Sequence, residues 1–516
     1  MRVGIISIYT DPMRMGTKNR GALQPSVGPI IAGLLPSNID IDVINETWEE
    51  PTWTRYYDLL YLSSLHSDFD RARQISHYWR RRGAKTVYGG TLASTYPALC
   101  QPFFDSIVVG DAEGSARVVY DDFCRNSLKK LYVSAPHDKP DRTLPRFDLL
   151  AGKRPVPIMI EATRGCPFAC DFCALTGIGT RFHMRSVESV VQEIRDAQHM
   201  LQGLVPWPQR HMVAFVDNNL GGSPSYLVKL CDSLAPLRIR WGAAMTMHVL
   251  SQPDIIRRLA KAGCRVVFVG LESFNQQSLA HMKKWHNVAG KLKRLVAQCQ
   301  QNGILLAAGL LLNASVDDWR YVETIPDRLV ASGLYMPAFI SFECPIPGTP
   351  YFKQLMEGEG GEFLPNALLR DFSGYTLVVK PKNETAERFV ANYKWVAAKA
   401  NSLGMKGRKL AHDIPRLLTA GGWDAALADV AGCVHAGFTV APGRSYMAGS
   451  DTPPPEMATI PLAASDFSSD DEWRAVMEPW LVTDKNGTVV SAWRKPVQVY
   501  GARGQLTPDA LALLGG

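Results

Sequence analysis

The sequence predicts an α/β protein: an N-terminal doubly wound parallel sheet, a partial (β/α)6 barrel and a C-terminal α+β extension. Three observations predict it. Short apolar runs alternate with helical stretches twice along the chain. A stretch over 134–156, rich in Pro, Asp, Lys and Arg, separates the two series. The second series opens with a strand that runs into three closely spaced cysteines. The expected divisions are 1–133 for the first sheet, 134–156 for a linker, 157–350 for the barrel and 351–516 for the extension.

The first series places strands at Arg2–Ile8, Asp40–Ile44, Asp58–Leu62, Lys85–Tyr88 and Ser106–Val109. The clearest helical patterns between them are Phe69–Arg82 and Gly114–Cys124. In open sheets of this kind, ligands bind outside the carboxyl ends of the strands.

The second series places strands at Pro157–Glu161, Met212–Asp217, Ile239–Met245, Cys264–Gly270, Ile304–Leu312 and Ala338–Glu343. Helices are expected near Val187–Leu201, Ser225–Leu234, Asp254–Ala262, Val288–Gln301 and Asp317–Ala331. The first shows the reasoning: Ser186 is a good N-cap, and Val187, Val190, Val191, Ile194 and Ala197 recur at helical spacing. The third stops at Gly263, as a C-terminal glycine predicts. Six β/α units make a partial barrel, whose chemistry belongs at the carboxyl ends of its strands.

Beyond about residue 345 the pattern weakens. Glu384–Ala400 reads as a helix, and Pro415–Ala431 as a helix with a Gly-Gly interruption. Ser445–Ser469 reads as a loop, and Thr483–Trp493 as a hairpin turning at Asp484–Gly487. This region is expected to cap the barrel mouth. Trp473, Trp480, Trp493 and Tyr500 suit either a flat ligand or core packing.

With 516 residues, 46% hydrophobic and 20% charged, the chain has the composition of a soluble protein of two or three domains. No apolar run reaches the roughly 18 residues of a membrane helix. The start, Met-Arg-Val-Gly-Ile-Ile-Ser, lacks a signal peptide's apolar stretch, so a cytoplasmic protein is expected. Net charge is +7, and the basic run Arg80–Arg82 is too short to argue for nucleic acid. Ten cysteines are too sparse for a disulfide scaffold, and seven are scattered in mostly apolar contexts.

The other three form Arg-Gly-Cys166-Pro-Phe-Ala-Cys170-Asp-Phe-Cys173, a C-x3-C-x2-C triplet. Three thiolates so placed can hold three corners of a [4Fe–4S] cluster and leave one iron open. A structural zinc site would need a fourth ligand, and no second Cys or His pair stands at suitable spacing. His183, ten residues beyond Cys173, is the nearest candidate for such a ligand.

Triplet, strand and following helix resemble the radical S-adenosylmethionine (radical SAM) enzymes, over roughly 155–350. Further strings resemble the subfamily with an N-terminal cobalamin-binding domain: Pro145-Arg146-Phe147-Asp148, Phe215-Val216-Asp217-Asn218-Asn219, Gly270-Leu271-Glu272-Ser273 and Pro347-Gly348-Thr349-Pro350. The resemblance implies that the open iron chelates S-adenosylmethionine, whose cleavage yields a 5′-deoxyadenosyl radical. It implies that Glu272 and Ser273 touch that cofactor, that Asp217 and Asn219 line the same mouth, and that Arg185 pairs with its carboxylate. Strand-end residues also commonly satisfy loop backbone groups. The fifth strand departs from the family pattern: Gly309-Leu-Leu-Leu-Asn313 stands where Gly-x-Pro-Gly-Glu is common.

The first domain likewise resembles cobalamin-binding domains. Their Asp-x-His-x-x-Gly signature reads here Asp11-Pro-Met13-Arg-Met-Gly16, with Met at the cobalt-ligating His position. Ser63-Ser64-Leu65 and Gly89-Gly90 resemble two further cobalamin contacts. The resemblance thus implies a cobalamin-dependent radical SAM enzyme that methylates an unactivated carbon of a small-molecule, tetrapyrrole or lipid substrate. Cyclisation or hydroxylation without methyl transfer is the runner-up outcome. An electron donor such as flavodoxin or ferredoxin is implied as partner. An iron–sulfur redox carrier is the non-enzyme alternative.

Overall fold

The computed structural model describes residues 1–10, 26–134, 144–153, 157–179, 182–284, 287, 289–439, 446–449, 460–501 and 505–513. Two parallel sheets of six strands dominate it. The first contains β1 (Arg2–Ser7), β2 (Asp40–Asn45), β3 (Leu59–Ser64), β4 (Lys85–Gly90), β5 (Ser106–Val109) and β6 (Leu131–Val133), in the order β2-β1-β3-β4-β5-β6. Alternate residues face opposite sides. Val3, Ile5, Leu59, Tyr61 and Val87 pack toward one side, in a cluster with Val119 and Ile31. Ile6, Leu60, Leu62 and Tyr88 pack toward the other, with Phe69, Ile75 and Trp79. The order reverses between β1 and β3, which opens a crevice at their carboxyl ends.

Five of these strands follow the sequence expectation, and two elements do not. Strand β6 has three residues, too few to register a pattern. Helix Val27–Leu34 contains Pro29 and two glycines, a poor local signal. Packing explains one of them: a Cβ on Gly28 would come within 2.8 Å of Val43.

The second sheet contains β7 (Ile158–Ile160), β10 (Met212–Phe215), β11 (Arg240–Met245), β12 (Cys264–Glu272), β13 (Leu305–Leu312) and β14 (Phe339–Phe342), in the order β14-β13-β12-β11-β10-β7. This is the expected partial barrel. A short antiparallel pair, β8 (Thr163–Arg164) with β9 (His183–Met184), closes the loop that carries the cysteines. Ser186 caps the helix Val187–Met200 by accepting from the Ser189 amide at 3.1 Å, and Val190, Ile194 and Ala197 are fully buried.

In the extension, the expected interrupted helix is two helices, Leu403–Thr419 and Trp423–Thr439, divided at Gly421-Gly422. Gly422 lies against Gly303, where a Cβ would meet backbone at 2.7 Å, so only glycine fits. Pro415 sits inside the first helix instead of opening it. Lys409 ties the pair together by bonding Asp413 and, at 2.7 Å, Asp429.

The last segment turns back over the first sheet. Arg73 donates to the Ala475 and Glu478 carbonyls, the latter at 2.7 Å. Trp480 packs edge-on to Phe69, and Trp493 to Tyr96. The Val497 amide donates to the Thr95 carbonyl at 2.7 Å. Trp480, Trp493 and Tyr500 are therefore packing residues of this strap, whereas Trp473 is largely exposed. The expected hairpin is a single bridge between Thr483 and Val489, with Gly487 at φ +81°. Of the expected loop Ser445–Ser469, residues 445 and 450–459 lie outside the described residues. Among the described residues no helix is long and apolar enough to cross a membrane.

Candidate functional site

The site begins where β7 ends. Asp217, just past β10, is buried and accepts from the Ala162 amide at 3.1 Å, from the Thr163 amide, and from the Thr163 hydroxyl at 2.6 Å. Burial pushes its carboxyl up to about 7 against those hydrogen bonds. Asp217 thus sets the chain path just ahead of the cysteines, and the backbone occupies the oxygens that the family resemblance assigns to the cofactor. Arg185 is committed in the same way. Its guanidinium reaches the Glu161 carbonyl at 2.9 Å, Ser189 at 2.8 Å and Glu193 at 2.6 Å.

The cysteine loop is clamped by segments that follow β12 and β14. The Cys173 amide and the Thr176 hydroxyl both donate to the Cys170 carbonyl, at 3.2 and 3.0 Å. Helix Ala174–Ile178 then seats Gly177 on Gly348 of the Pro-Gly-Thr-Pro turn, where a Cβ would meet backbone at 2.7 Å. Asp171 receives the Tyr351 amide on its carbonyl, and Gln354 and Lys283 on its carboxylate at 2.9 and 2.8 Å.

Two polar groups approach the cysteines. The Asn219 amide nitrogen lies 3.7 Å from Cys166 Sγ, and its buried Oδ1 has no protein partner. The second is Lys284, whose charge favours the thiolates of Cys170 and Cys173. Burial outweighs that charge and pushes the Cys170 thiol up to about 11. Lys284 is itself buried, bonded to Glu272 and 5.9 Å from the centre of the Phe172 ring. Glu272 sits on a bulge that ends β12, in the left-handed region at φ +63°. Such backbone strain in a non-glycine residue is characteristic of functional sites.

Ser273 is fully buried. Its hydroxyl bonds Tyr321 at 2.8 Å and receives the Asn275 amide at 3.0 Å, which shapes the loop after β12. At the fifth strand end, Asn313 donates to Glu343 and contacts His281 at 2.9 Å. Burial raises the Glu343 carboxyl, and that carboxylate in turn raises His281. Lys284, Tyr321, Glu343 and His281 escaped the sequence reading. Lys283-Lys284 beyond a strand end was the one available signal for the first.

The first sheet contributes a cavity of about 220 Å³ at the carboxyl ends of β3, β4 and β5. Val27, Ile30, Leu62 and Val108 give it apolar walls, and Ser63, Gly89 and Gly90 line it. A Cβ on Gly89 would find only Val108 within 4 Å, at 3.8 Å, so the bare backbone leaves room there. Gly90 has φ +123°, which favours glycine for its own sake. Leu65 stays 58% exposed just beyond β3. Asp11, Met13 and Gly16 lie outside the described residues.

Glu161 and Arg164 from the barrel line the same cavity. Arg164 pairs with Asp111 at 3.0 Å, Glu113 at 2.6 Å and Glu161 at 2.6 Å. One guanidinium, two residues ahead of Cys166, therefore joins the sheet to the cysteine loop. Tyr500 ties the same junction, accepting from the Asp111 amide and donating its own amide to the Ile178 carbonyl.

Residues 160–312 match the Radical SAM superfamily. These residues thus form a radical SAM domain of an enzyme, and the fold of the chain resembles that of proteins that join this barrel to a Rossmann-like N-terminal domain. It is 26% identical over 347 residues to bacteriochlorophyllide d C-8(2)-methyltransferase of Chlorobaculum tepidum, covering 64% of this chain and 75% of that one. Its fold is similar to that of the cobalamin-dependent radical enzyme OxsB with aqua-cobalamin and S-adenosylmethionine bound: TM-score 0.58, 13% identity, covering 83% and 72% of the two chains. It is also similar to the radical methyltransferase TsrM of Kitasatospora setae: TM-score 0.53, 19% identity, covering 71% and 78%.

The residues fit the groups this class uses. Three thiols, Cys166, Cys170 and Cys173, share one loop and suit a cluster with several irons. A cube gives each thiolate its own iron. The cavity of about 220 Å³ lies at the strand ends where sheets of this order bind ligands, and it is smaller than the roughly 300–1,000 Å³ of sites that enclose a whole small ligand.

Proposed function

We propose that the enzyme is a cobalamin-dependent radical SAM C-methyltransferase acting on a small-molecule, tetrapyrrole or lipid substrate. The observation that carries this reading is the shared wall of the cavity: Ser63, Gly89 and Gly90 stand on one side, with Glu161 and Arg164 on the other. A group held there lies beside the loop of Cys166. The similarity to a bacteriochlorophyllide methyltransferase supports methyl transfer and a tetrapyrrole-like substrate.

In this reading Cys166, Cys170 and Cys173 hold a [4Fe–4S] cluster, while Ser63, Leu65, Gly89 and Gly90 contact cobalamin. Glu272 and Asn219 would hold S-adenosylmethionine, with Ser273 shaping the loop beside them. When bound, the cluster and S-adenosylmethionine supply substrate-radical chemistry and cobalamin supplies the methyl group. The chain's own residues hold the geometry. Asp217 fixes the path into the cysteine loop, Asp171 fixes its middle, and Arg185 braces the return strand. The Asn219 acceptor without a protein partner suits the ammonium of an amino-acid cofactor. Lys284 keeps positive charge beside Cys170 and Cys173. Electrons come from a small flavodoxin- or ferredoxin-type donor, and the enzyme works in the cytoplasm.

The test is anaerobic turnover of reconstituted, hydroxocobalamin-loaded protein with methyl-deuterated S-adenosylmethionine and bacteriochlorophyllide-type tetrapyrroles. The expected products are 5′-deoxyadenosine, S-adenosylhomocysteine and a deuteromethylated tetrapyrrole. 5′-Deoxyadenosine with a dehydrogenated, ring-closed or hydroxylated product would replace methyl transfer by the runner-up chemistry.

A further inference from the structure

The helix Trp423–Thr439 presents one buried face and one exposed apolar stripe over 423–434. Ala425, Ala426, Asp429 and Cys433 are buried, with Ala425 and Ala426 in a cluster with Leu305 and Leu417. Trp423, Leu427, Val430 and Val434 follow at spacings of four, three and four, which puts them on one stripe. They are 57%, 60%, 40% and 64% exposed, and Leu418 at the end of the preceding helix is 51% exposed. Large aliphatic and aromatic side chains gathered on one exposed face mark an interaction site.

Charge identifies the partner. Across 403–434 the acidic residues are Asp413, Asp424 and Asp429. Asp413 and Asp429 are buried around Lys409, and Asp424 is bonded to Arg240. The charges left on the helix pair are the exposed cations Arg408 and Arg416 and the half-buried Lys406. Apolar side chains with a Trp, flanked by Lys and Arg, suit an anionic membrane interface. A second copy fits poorly. A two-fold contact would bring these cations face to face. The stripe is also only about 17 Å long and one helix wide, far below the roughly 800 Å² per partner of a stable dimer.

We propose that this helix pair docks the enzyme on the surface of an anionic lipid bilayer. The docking is peripheral, and its residues stand apart from the cysteine loop. Asp424 bonds Arg240 at the start of β11, and Gly422 lies against Gly303, just ahead of β13, so the helix begins at the end of the barrel opposite the cysteines. The mouth is therefore left open while the enzyme is docked.

The test is flotation of the full chain with vesicles of phosphatidylcholine, with and without phosphatidylglycerol. Wild-type protein is expected to float with the phosphatidylglycerol vesicles and to be released by high salt. The triple variant Leu427→Gln, Val430→Gln, Val434→Gln and the charge variant Arg408→Glu, Arg416→Glu should each lose about tenfold or more in binding. Both should keep wild-type circular dichroism and cleavage of S-adenosylmethionine. Absence of flotation on either vesicle would overturn the proposal. So would a wild-type dimer in light scattering that the triple variant abolishes, since a second copy would then cover the stripe.

Discussion

Asn219 is a single side chain whose two ends have different surroundings: an N–H aimed at Cys166 Sγ and a buried acceptor with no protein partner. A hydrogen bond to a cluster sulfur stabilises the reduced, more negative state. Asn219→Ala should therefore retain iron and sulfide while moving the cluster midpoint to more negative potential in an anaerobic EPR redox titration; an unchanged midpoint removes this role. Asp68 makes a second residue-scale prediction. It is buried, accepts from the Thr10 amide at 2.9 Å and from the Leu65 amide at 3.3 Å, and burial pushes it up to about 7. A carboxyl raised in the folded state adds most stability below its unfolded value near 4 and loses it as pH climbs through 7. Asp68→Asn should flatten that decline by roughly 2–4 kcal/mol between pH 4 and 8, read from denaturant midpoints. The cysteines were legible because three thiols at fixed spacing have few other uses. Lys284 was not, because a lysine earns its role only when folding buries it beside Glu272 and two thiols. Asp217 and Arg185 were found as residues but not for what they bond, since strand-end side chains serve ligands and loop amides with the same chemistry.

At the scale of elements, legibility followed local signal. Ser186 announced its helix through a cap and an apolar stripe, both realised in the fold. The helix Val27–Leu34 gave no such signal, because its Gly28 answers to close packing on Val43 and not to helix propensity. The Gly-Gly break was visible near residue 421, but the helix before it begins at Leu403 and carries Pro415 through its interior. Long-range bonding supports that helix. Lys409→Met would leave Asp413 and Asp429 buried without their cation, and should cost about 3–5 kcal/mol in chemical denaturation. A loss below about 1 kcal/mol would mean that this ion cluster does not hold the helix pair. Gly90 ends β4 at φ +123°, where a side chain is strained whatever space it finds. Gly90→Ala should lower both the melting temperature and hydroxocobalamin uptake, measured by calorimetry and by corrin absorbance.

At the scale of the molecule, the two sheets were readable from alternation, because parallel strands need long crossovers that are usually helices. The junction was not. It depends on Arg164 meeting two carboxylates more than fifty positions earlier in the chain, and on a strap from the far C-terminus that bonds Thr95 and Ile178. Arg164→Gln should loosen that junction, lowering thermal stability and corrin uptake together while the isolated cluster signal survives. Unchanged corrin uptake would separate the cavity from the cysteine loop. The most direct test of the whole account is EPR of the reduced, reconstituted protein before and after S-adenosylmethionine is added. A [4Fe–4S]⁺ signal is expected whose g values shift on addition, as a nucleotide takes the open iron. A signal that stays unmoved, or a metal content of zinc in place of four irons, would contradict it.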